Sequence, residues 1–288
     1  RTTASANVRR VSRHKLPSNP LFDPMTTCIE LGTTKVVCLA AEMDENGELQ
    51  VLATGQAPSK GLQRGVVCDL DETAMAIGEA MRPVRTALGS DAGEFVVNIG
   101  GAHLEGVNAQ GFAAIYPRTR LITRDDVLNV INHSRQLMPS PDREQIMAIP
   151  REFRIDGQQG IAKPIGLSGG RLEVVTHIVT GLSAHCQNVI KAATMAGLKV
   201  GQVVAQPVAS GLGASTEQER QLGCVVVDIG AGTTTVAVFT NGAIAYSAVI
   251  PVGSSHVTSD LFKLIKVSPE EAERLKVVEG RASALGLS

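Results

Sequence analysis

Apolar residues in this chain fall into short blocks whose spacing switches between the two-residue period of strands and the 3.6-residue period of helices. Residues 26–42 read as strand, Gly/Thr turn and returning strand. The polar run Asp44-Glu45-Asn46-Gly47-Glu48 then turns the chain into a third strand at 49–54. A helix follows. Asp69 and Glu72 have the spacing of a capping box, and Leu70, Ala74, Ile77, Met81, Val84 and Leu88 recur at helical spacing. Pro83 is expected to kink or shorten that helix, because it lacks an N–H and its ring crowds the preceding turn. The next strand, 94–99, is closed by Gly100-Gly101.

Residues 108–182 break the pattern. A strand at 111–115 precedes a helix capped by Thr123 and carrying Val127, Leu128 and Ile131. After Pro139 and Pro141 come two long apolar strands, 145–155 and 172–180, which make this a strand-helix-strand-strand module. A helix then starts at Ser183, with Cys186, Val189, Ile190 and Ala193 on one face and Gly197 as its stop. The strand 200–205 leads into a helix opened by Gln206-Pro207, and residues 216–220 read as a charged, hinge-like connector. Thr258 is placed as the cap of a helix bearing Leu261, Phe262 and Leu264. Ser268-Pro269-Glu270-Glu271 supplies cap, Pro at N1 and an acidic N3 for the last helix.

Composition narrows the class. A chain of 288 residues is long enough for two domains with their own cores, and 43% hydrophobic with 19% charged residues is the balance of a soluble globular protein. Trp is absent and aromatics are 3%, so the core must be built from Val, Ile, Leu and Ala, as α/β sheets prefer. A net charge of −1 gives no whole-chain attraction for nucleic acid, and none is expected as a partner. The five cysteines are odd in number and form no C-x-x-C, which points to reduced thiols packed as small hydrophobes in a cytoplasmic protein. The six histidines show no zinc-binding spacing. No apolar run reaches the roughly 18 residues of a membrane span. Residues 1–25 hold Arg1, Arg9, Arg10, Arg13 and Lys15 with no acid before Asp23, and read as a disordered basic tail.

The chemistry lies in two stretches far apart in the chain. Glu30-Leu31-Gly32-Thr33-Thr34-Lys35 precedes the apolar run Val36 to Ala40. Asp228-Ile229-Gly230-Ala231-Gly232-Thr233-Thr234 sits between Val225-Val226-Val227 and Val236-Ala237-Val238-Phe239. Each is a strand, a carboxylate, a Gly/Thr turn and a returning strand. The glycines permit positive φ and close approach by a bulky ligand. The turn offers N–H groups and hydroxyls to an anion, and the carboxylate at the strand end can hold a hydrated cation. One such turn is an ordinary hairpin. Two matched copies imply a duplicated α/β domain closing on a Mg-nucleotide from both sides.

These hairpins resemble the phosphate-1 and phosphate-2 turns of the actin/Hsp70/sugar-kinase superfamily, in which three antiparallel strands followed by a helix open an RNase H-like subdomain. Further strings are similar to the bacterial cell-division FtsA family: Lys60-Gly61-Leu62-Gln63-Arg64-Gly65-Val66-Val67, Asp142-Arg143-Glu144, Ile149-Pro150-Arg151-Glu152-Phe153, His177-Ile178-Val179-Thr180-Gly181 and Val249-Ile250-Pro251-Val252-Gly253. The resemblance runs in order over residues 27–276. It implies an actin-like ATPase fold whose first lobe (26–107 with 183–215) carries the inserted module 108–182 and whose second lobe, 216–288, is partial. The further subdomain, Gly-rich adenosine loop and C-terminal membrane helix of such proteins are not in the sequence.

The same resemblance implies ATP and Mg as ligands. Gly32, Thr33 and Thr34 would cradle one side of the phosphates, and Gly230, Ala231, Gly232, Thr233 and Thr234 the other. Glu30 and Asp228 would hold Mg²⁺ through water, Gln206 would position the attacking water, and Lys35 reads as a solvated charge. Two positions depart from the pattern: related proteins usually have Asp in place of Glu30, and commonly Asp in place of Thr235. Gln206 also stands where Glu is common, and an amide orients water without accepting its proton, so at most slow hydrolysis is expected. The implied role is a self-assembling adaptor linking a tubulin-like FtsZ-type ring to the membrane. The implied module contact is head-to-tail with a neighbouring protomer, with the hairpins indifferent to the module's removal. A sugar or acid kinase of the same superfamily is the rival from another class, and a pilus-assembly or chaperone-like relative the nearer one.

Overall fold

The computed structural model describes residues 25–44, 49–89, 93–136, 140–281 and 283. The expectations for the basic tail before Met25, for Glu45 to Glu48 of the first polar turn and for Pro139 lie outside the described residues. The first lobe opens with β1 (Met25–Leu31), β2 (Lys35–Met43), β3 (Leu49–Pro58), the two-residue strands β4 (Leu62–Gln63) and β5 (Val66–Val67), α1 (Leu70–Leu88) and β6 (Phe95–Ile99). The inserted module is β7 (Glu105–Ala114), α2 (Arg124–Arg135), β8 (Arg143–Ile155), β9 (Gln158–Ile161) and β10 (Arg171–Leu182). The chain returns through α3 (Ser183–Met195), β11 (Val200–Ala205) and α4 (Gln206–Ala214). It ends in α5 (Glu217–Leu222), β12 (Cys224–Ile229), β13 (Thr234–Thr240), β14 (Ala243–Ile250), α6 (Ser254–Ile265) and α7 (Pro269–Val278).

The first sheet has the order β11-β6-β1-β2-β3. β1 pairs antiparallel with β2 and parallel with β6, so it is central and its end is buried between neighbours. Inward residues of β1 and β2, among them Ile29, Leu31, Val36, Cys38 and Ala40, join Ile77, Met81 and Val84 of α1 in one core. That core runs on into Ala237, Phe239 and Ile244 of the second lobe, with Val208 of α4 at the junction. The last lobe pairs β12, β13 and β14 antiparallel, with β12 at the sheet's edge. The module is a separate antiparallel sheet, β7-β10-β8-β9, which buries Phe153, Leu172 and Val174 with Val130 of α2 in its own small core.

Several elements differ from the sequence expectation, each for a tertiary reason. α1 is not shortened: it runs 19 residues with Pro83 inside it. The Pro83 ring lies beside Gly55 of β3, where no side chain competes for the space. Asp69 caps α1 by accepting from the Glu72 N–H at 2.9 Å, but the reciprocal half of the box is missing and Glu72 Oε2 is buried without a partner. The supposed hinge at 216–220 is the helix α5, closed by a complete capping box between Thr216 and Glu219. Thr258 is interior to α6, which starts at Ser254; its hydroxyl instead donates to Glu273 Oε2 of α7 at 2.5 Å and accepts from Lys276 Nζ at 2.9 Å. Strand β14 and the β4–β5 hairpin had no separate reading in the sequence. Cys68 is exposed, unlike Cys38 and Cys186, which are buried as small hydrophobes.

The module packs onto the second lobe of its own chain through a buried histidine. His177 of β10 is 1% exposed. Its Nδ1 lies 2.9 Å from Asn108 Oδ1 and its Nε2 2.8 Å from Ser247 Oγ of β14. Since Asn108 Nδ2 already donates to the Ala245 carbonyl at 3.0 Å, Oδ1 is the acceptor. The network therefore assigns a neutral ring with the proton on Nδ1 and Ser247 donating to Nε2. Removing residues 108–182 would strip this cover from β14, the strand that pairs with β13 of the second hairpin.

Burial, with the Arg151 charge beyond it, pushes His177 down to about 4. Unfolded, the ring regains a value near 6.5. Between those values the unfolded state binds the extra proton, so the neutral ring's stability is present above pH 6.5 and is lost as pH falls towards 4. The full swing is roughly 3 kcal/mol. His103, packed on His185 with ring centroids 4.8 Å apart, is also pushed down to about 4, first by burial, and contributes with the same sign. Urea midpoints should therefore drop from pH 7 to pH 5, and His177→Gln should reduce the drop. A pH dependence unchanged by the variant would contradict this account of the joint.

Candidate functional site

Both hairpin turns are built to one register. In the first, Glu30 pairs with Val37 and Leu31 with Val36; in the second, Asp228 pairs with Thr235 and Ile229 with Thr234. Gly32 N–H closes its turn on the Lys35 carbonyl at 3.0 Å, and Gly230 N–H closes its turn on Thr233 at 2.9 Å. Counting from the carboxylates makes Gly32 the counterpart of Gly230, and Thr34 that of Gly232. The Gly-Thr-Thr triplets, which look alike by eye, are therefore not equivalent. None of Gly32, Gly230 and Gly232 takes a positive φ, contrary to expectation. What they supply is room.

The two turns meet. A Cβ on Gly232 would lie 2.7 Å from Thr33 Oγ1 and 3.2 Å from the Arg64 Cα, so the tips of the first and second hairpins are in contact across the lobes. Among the described residues, the N–H groups of Thr33, Thr34, Ala231 and Gly232 carry no backbone acceptor. Thr233 and Thr235 are buried, while Thr34 and Lys35 face solvent, as Lys35 was expected to. Thr234 Oγ1 donates to the Val252 carbonyl at 2.7 Å. The second turn is braced from behind: Ser254 N–H and Ser255 N–H at the start of α6 donate to the carbonyls of Gly230 and Ala231, each at 2.9 Å. These bonds are the reason α6 begins five residues before the position read from the sequence, with Gly253 rather than Thr258 as its cap.

Glu30, Asp228 and Gln206 line one cavity of about 290 Å³ beside the turns, together with Asn98 and Ser210. Burial pushes the Glu30 carboxyl above its ordinary value; Lys35 pulls it back, and the Asp228 charge adds to the rise. The Asp228 charge thus reaches Glu30 across the lobes, and a divalent cation between the two would relieve both the burial and the repulsion at Glu30. Gln206 makes no side-chain cap for α4, whose cap residue is Ala205. Its amide lies over Gly100, where a Cβ would collide with it.

Two site residues had no role in the sequence reading. Ser210 Oγ donates to Asp228 Oδ2 at 2.8 Å, and Asn98 Oδ1 accepts from the Leu31 N–H at 2.6 Å and fixes the strand that carries Glu30. Signals for both were present. Ser210 is four residues beyond Gln206 on one helix face, and Asn98 is the lone polar residue in an apolar strand. As for other metal sites, no group of three or more His, Cys, Asp or Glu capable of holding an ion occurs among the described residues.

The protein in the PilM-PilN type IV pilus biogenesis complex superposes with a TM-score of 0.64 at 16% identity, over 89% of this chain and 70% of that one. Ethanolamine utilization protein EutJ from Carboxydothermus hydrogenoformans gives 0.51 at 18% identity, over 90% and 63%. The family model described as the SHS2 domain inserted in FTSA matches residues 101–180, which starts the module a few residues ahead of the expected boundary, in keeping with β7 beginning at Glu105. The molecule is an actin-like ATPase fold with an SHS2 insertion.

A second model, described as cell division protein FtsA, matches residues 225–287. The cell division protein FtsA of Neisseria meningitidis serogroup B is 37% identical over 255 residues, covering 88% of this chain and 61% of that protein. Its counterpart in Escherichia coli K12 is 34% identical over 254 residues, covering 88% and 60%. The chain belongs to the FtsA family of cell-division proteins. It spans about 60% of the length of these curated relatives. Among the described residues no helix is long and apolar enough to cross a membrane.

Proposed function

We propose that this chain forms the phosphate-binding part of an ATP-dependent, self-assembling adaptor that links a tubulin-like FtsZ-type ring to the cytoplasmic face of the membrane during septation. The observation that carries the reading is the contact between Thr33 and Gly232, which brings two hairpins of identical register together over one carboxylate-lined cavity. Residues 32–34 and 230–234 would hold the ATP phosphates from opposite sides, with the open N–H groups of Thr33, Thr34, Ala231 and Gly232 as donors. Glu30 and Asp228 fit Mg²⁺ by charge and by proximity, and the ion would neutralise the phosphates when bound. Gln206, placed over the same cavity, would orient a water. Lacking a base there, turnover would be slow.

Membrane attachment, the docking surface for the ring protein and the polymer contacts belong to the whole protein. The full-length protein incubated with Mg-ATP should form filaments visible by electron microscopy, through head-to-tail contacts of the module with a neighbour. Failure to assemble with any nucleotide would contradict the adaptor reading. Coupled transfer of the γ-phosphoryl group to a small metabolite would establish the kinase alternative instead.

A further inference from the structure

A second cavity, of about 530 Å³, opens where the inserted module meets the turn between β13 and β14. Its walls carry Arg151 and Glu152 of β8, Gln159 of β9, Gln221 of α5, and Thr240 and Asn241 of the turn. Arg151 is there because β8 is irregular. The β8–β10 register pairs Glu152 with Val175 and Pro150 with Thr176, which leaves Arg151 as the extra residue of a bulge. Bulges re-aim a side chain out of the ladder, and Pro150 beside it has no N–H to hold the regular pairing. The turn opposite is also fixed: Asn241 has φ 51° and Gly242 φ 79°, and Gly242 N–H donates to the Arg220 carbonyl at 2.9 Å.

The Arg151 guanidinium is underused. Its Nε is buried and has no acceptor, and its Nη2 reaches only Thr240 Oγ1 at 3.4 Å. No carboxylate forms an ion pair with it among the described residues. Glu152, the acidic wall residue, is already engaged: Arg154 holds both its oxygens at 3.3 Å, and Gly160 N–H donates to Oε1 at 3.2 Å. These bonds, the Arg154 one first, with the charges of Arg154 and then Arg151 adding to them, hold the Glu152 carboxyl below its ordinary value, so it stays ionised and paired with Arg154. A buried guanidinium N–H without a partner is costly, and a carboxylate or phosphate satisfies it with paired hydrogen bonds. The remaining wall is rich in amide and hydroxyl donors: Gln159, Gln221, Asn241 and Thr240. The volume is in the range of sites for small organic ligands.

We propose that this pocket binds a small oxyanion, a phosphate or carboxylate group on a compact body, with Arg151 as its principal donor, so that the ligand bridges the module and the second lobe. It is separate from the hairpin turns: none of their residues lines it.

The test is thermal unfolding of the 288-residue chain in EDTA, with inorganic phosphate, glycerol 3-phosphate or succinate added to about 10 mM. At least one should raise the midpoint by a few degrees, as expected for a ligand present at roughly ten times its dissociation constant. A response to inorganic phosphate identifies the free ion, a response only to the ester a phosphorylated metabolite, and a response only to succinate a carboxylate. In Arg151→Gln the rise should vanish. Ala162→Glu, which places a carboxylate on the exposed pocket wall without touching Arg151, should abolish it too and guards against an unfolded first variant. No rise with any of the three anions overturns the proposal. So does an undiminished rise in both variants, which would put the anion at the hairpin turns instead.

Discussion

Asp228→Ala is expected to abolish Mg-dependent ATP binding, lowering affinity by about 100-fold or more while the hairpin stays folded. The backbone of β12 is held by its ladder to β13, from Cys224↔Phe239 to Ile229↔Thr234, and the substitution leaves that ladder intact. Among the described residues, the side chain accepts one hydrogen bond, from Ser210 at 2.8 Å. Its loss costs about 1 kcal/mol of stability. What disappears is one of two carboxylates facing the same cavity. Glu30 alone, on the far lobe and with its ionisation already disfavoured by burial, makes a poor site for a divalent cation. Calorimetry with and without Mg²⁺ on the full-length protein checks this. An unchanged Mg-ATP affinity in the variant would remove Asp228 from the site.

The largest effect on stability is expected at Gly55. This residue of β3 pairs with Cys38 and lies under α1, where an added Cβ would run into the Ala80 carbonyl oxygen and approach Pro83 Cδ to 3.0 Å. Helix and sheet meet there backbone to backbone, so no flexible side chain can swing aside. Gly55→Ala should destabilise by about 3 kcal/mol or more, and Gly55→Val should leave little folded protein. Urea denaturation of the alanine variant measures it. A midpoint within error of the parent chain would mean that α1 can slide on the sheet.

The contact at Gly55 also shows what the sequence conveys and what it withholds. Periodicity located α1 from its face of Ile77, Met81 and Val84, but the rule that Pro83 interrupts a helix is local. The tolerance came from Gly55, whose place under the helix is known only once the sheet has formed. α6 behaves likewise: its start is set by the carbonyls of Gly230 and Ala231, which no neighbouring residue announces. α5 was hidden for another reason, since a six-residue polar helix has no apolar face to detect. The strands of the two hairpins were legible because alternation, carboxylate and Gly/Thr turn agree at each. That the two turns face each other could be expected from the duplication, since both copies would address one ligand, but the direct approach of Thr33 to Gly232 was not legible. Ser210 and Asn98 escaped notice because their chemistry appears only through the residue each one holds.

If the two turns form one phosphate site, a nucleotide must reach both of them at once. Amide nitrogen–proton spectra of the deuterated protein during titration with Mg-ATP test it most directly. The amides of Thr33 and Thr34 should move together with those of Ala231 and Gly232, saturating at one common affinity that requires Mg²⁺. Shifts confined to one turn, or to neither while the nucleotide binds elsewhere, would contradict it.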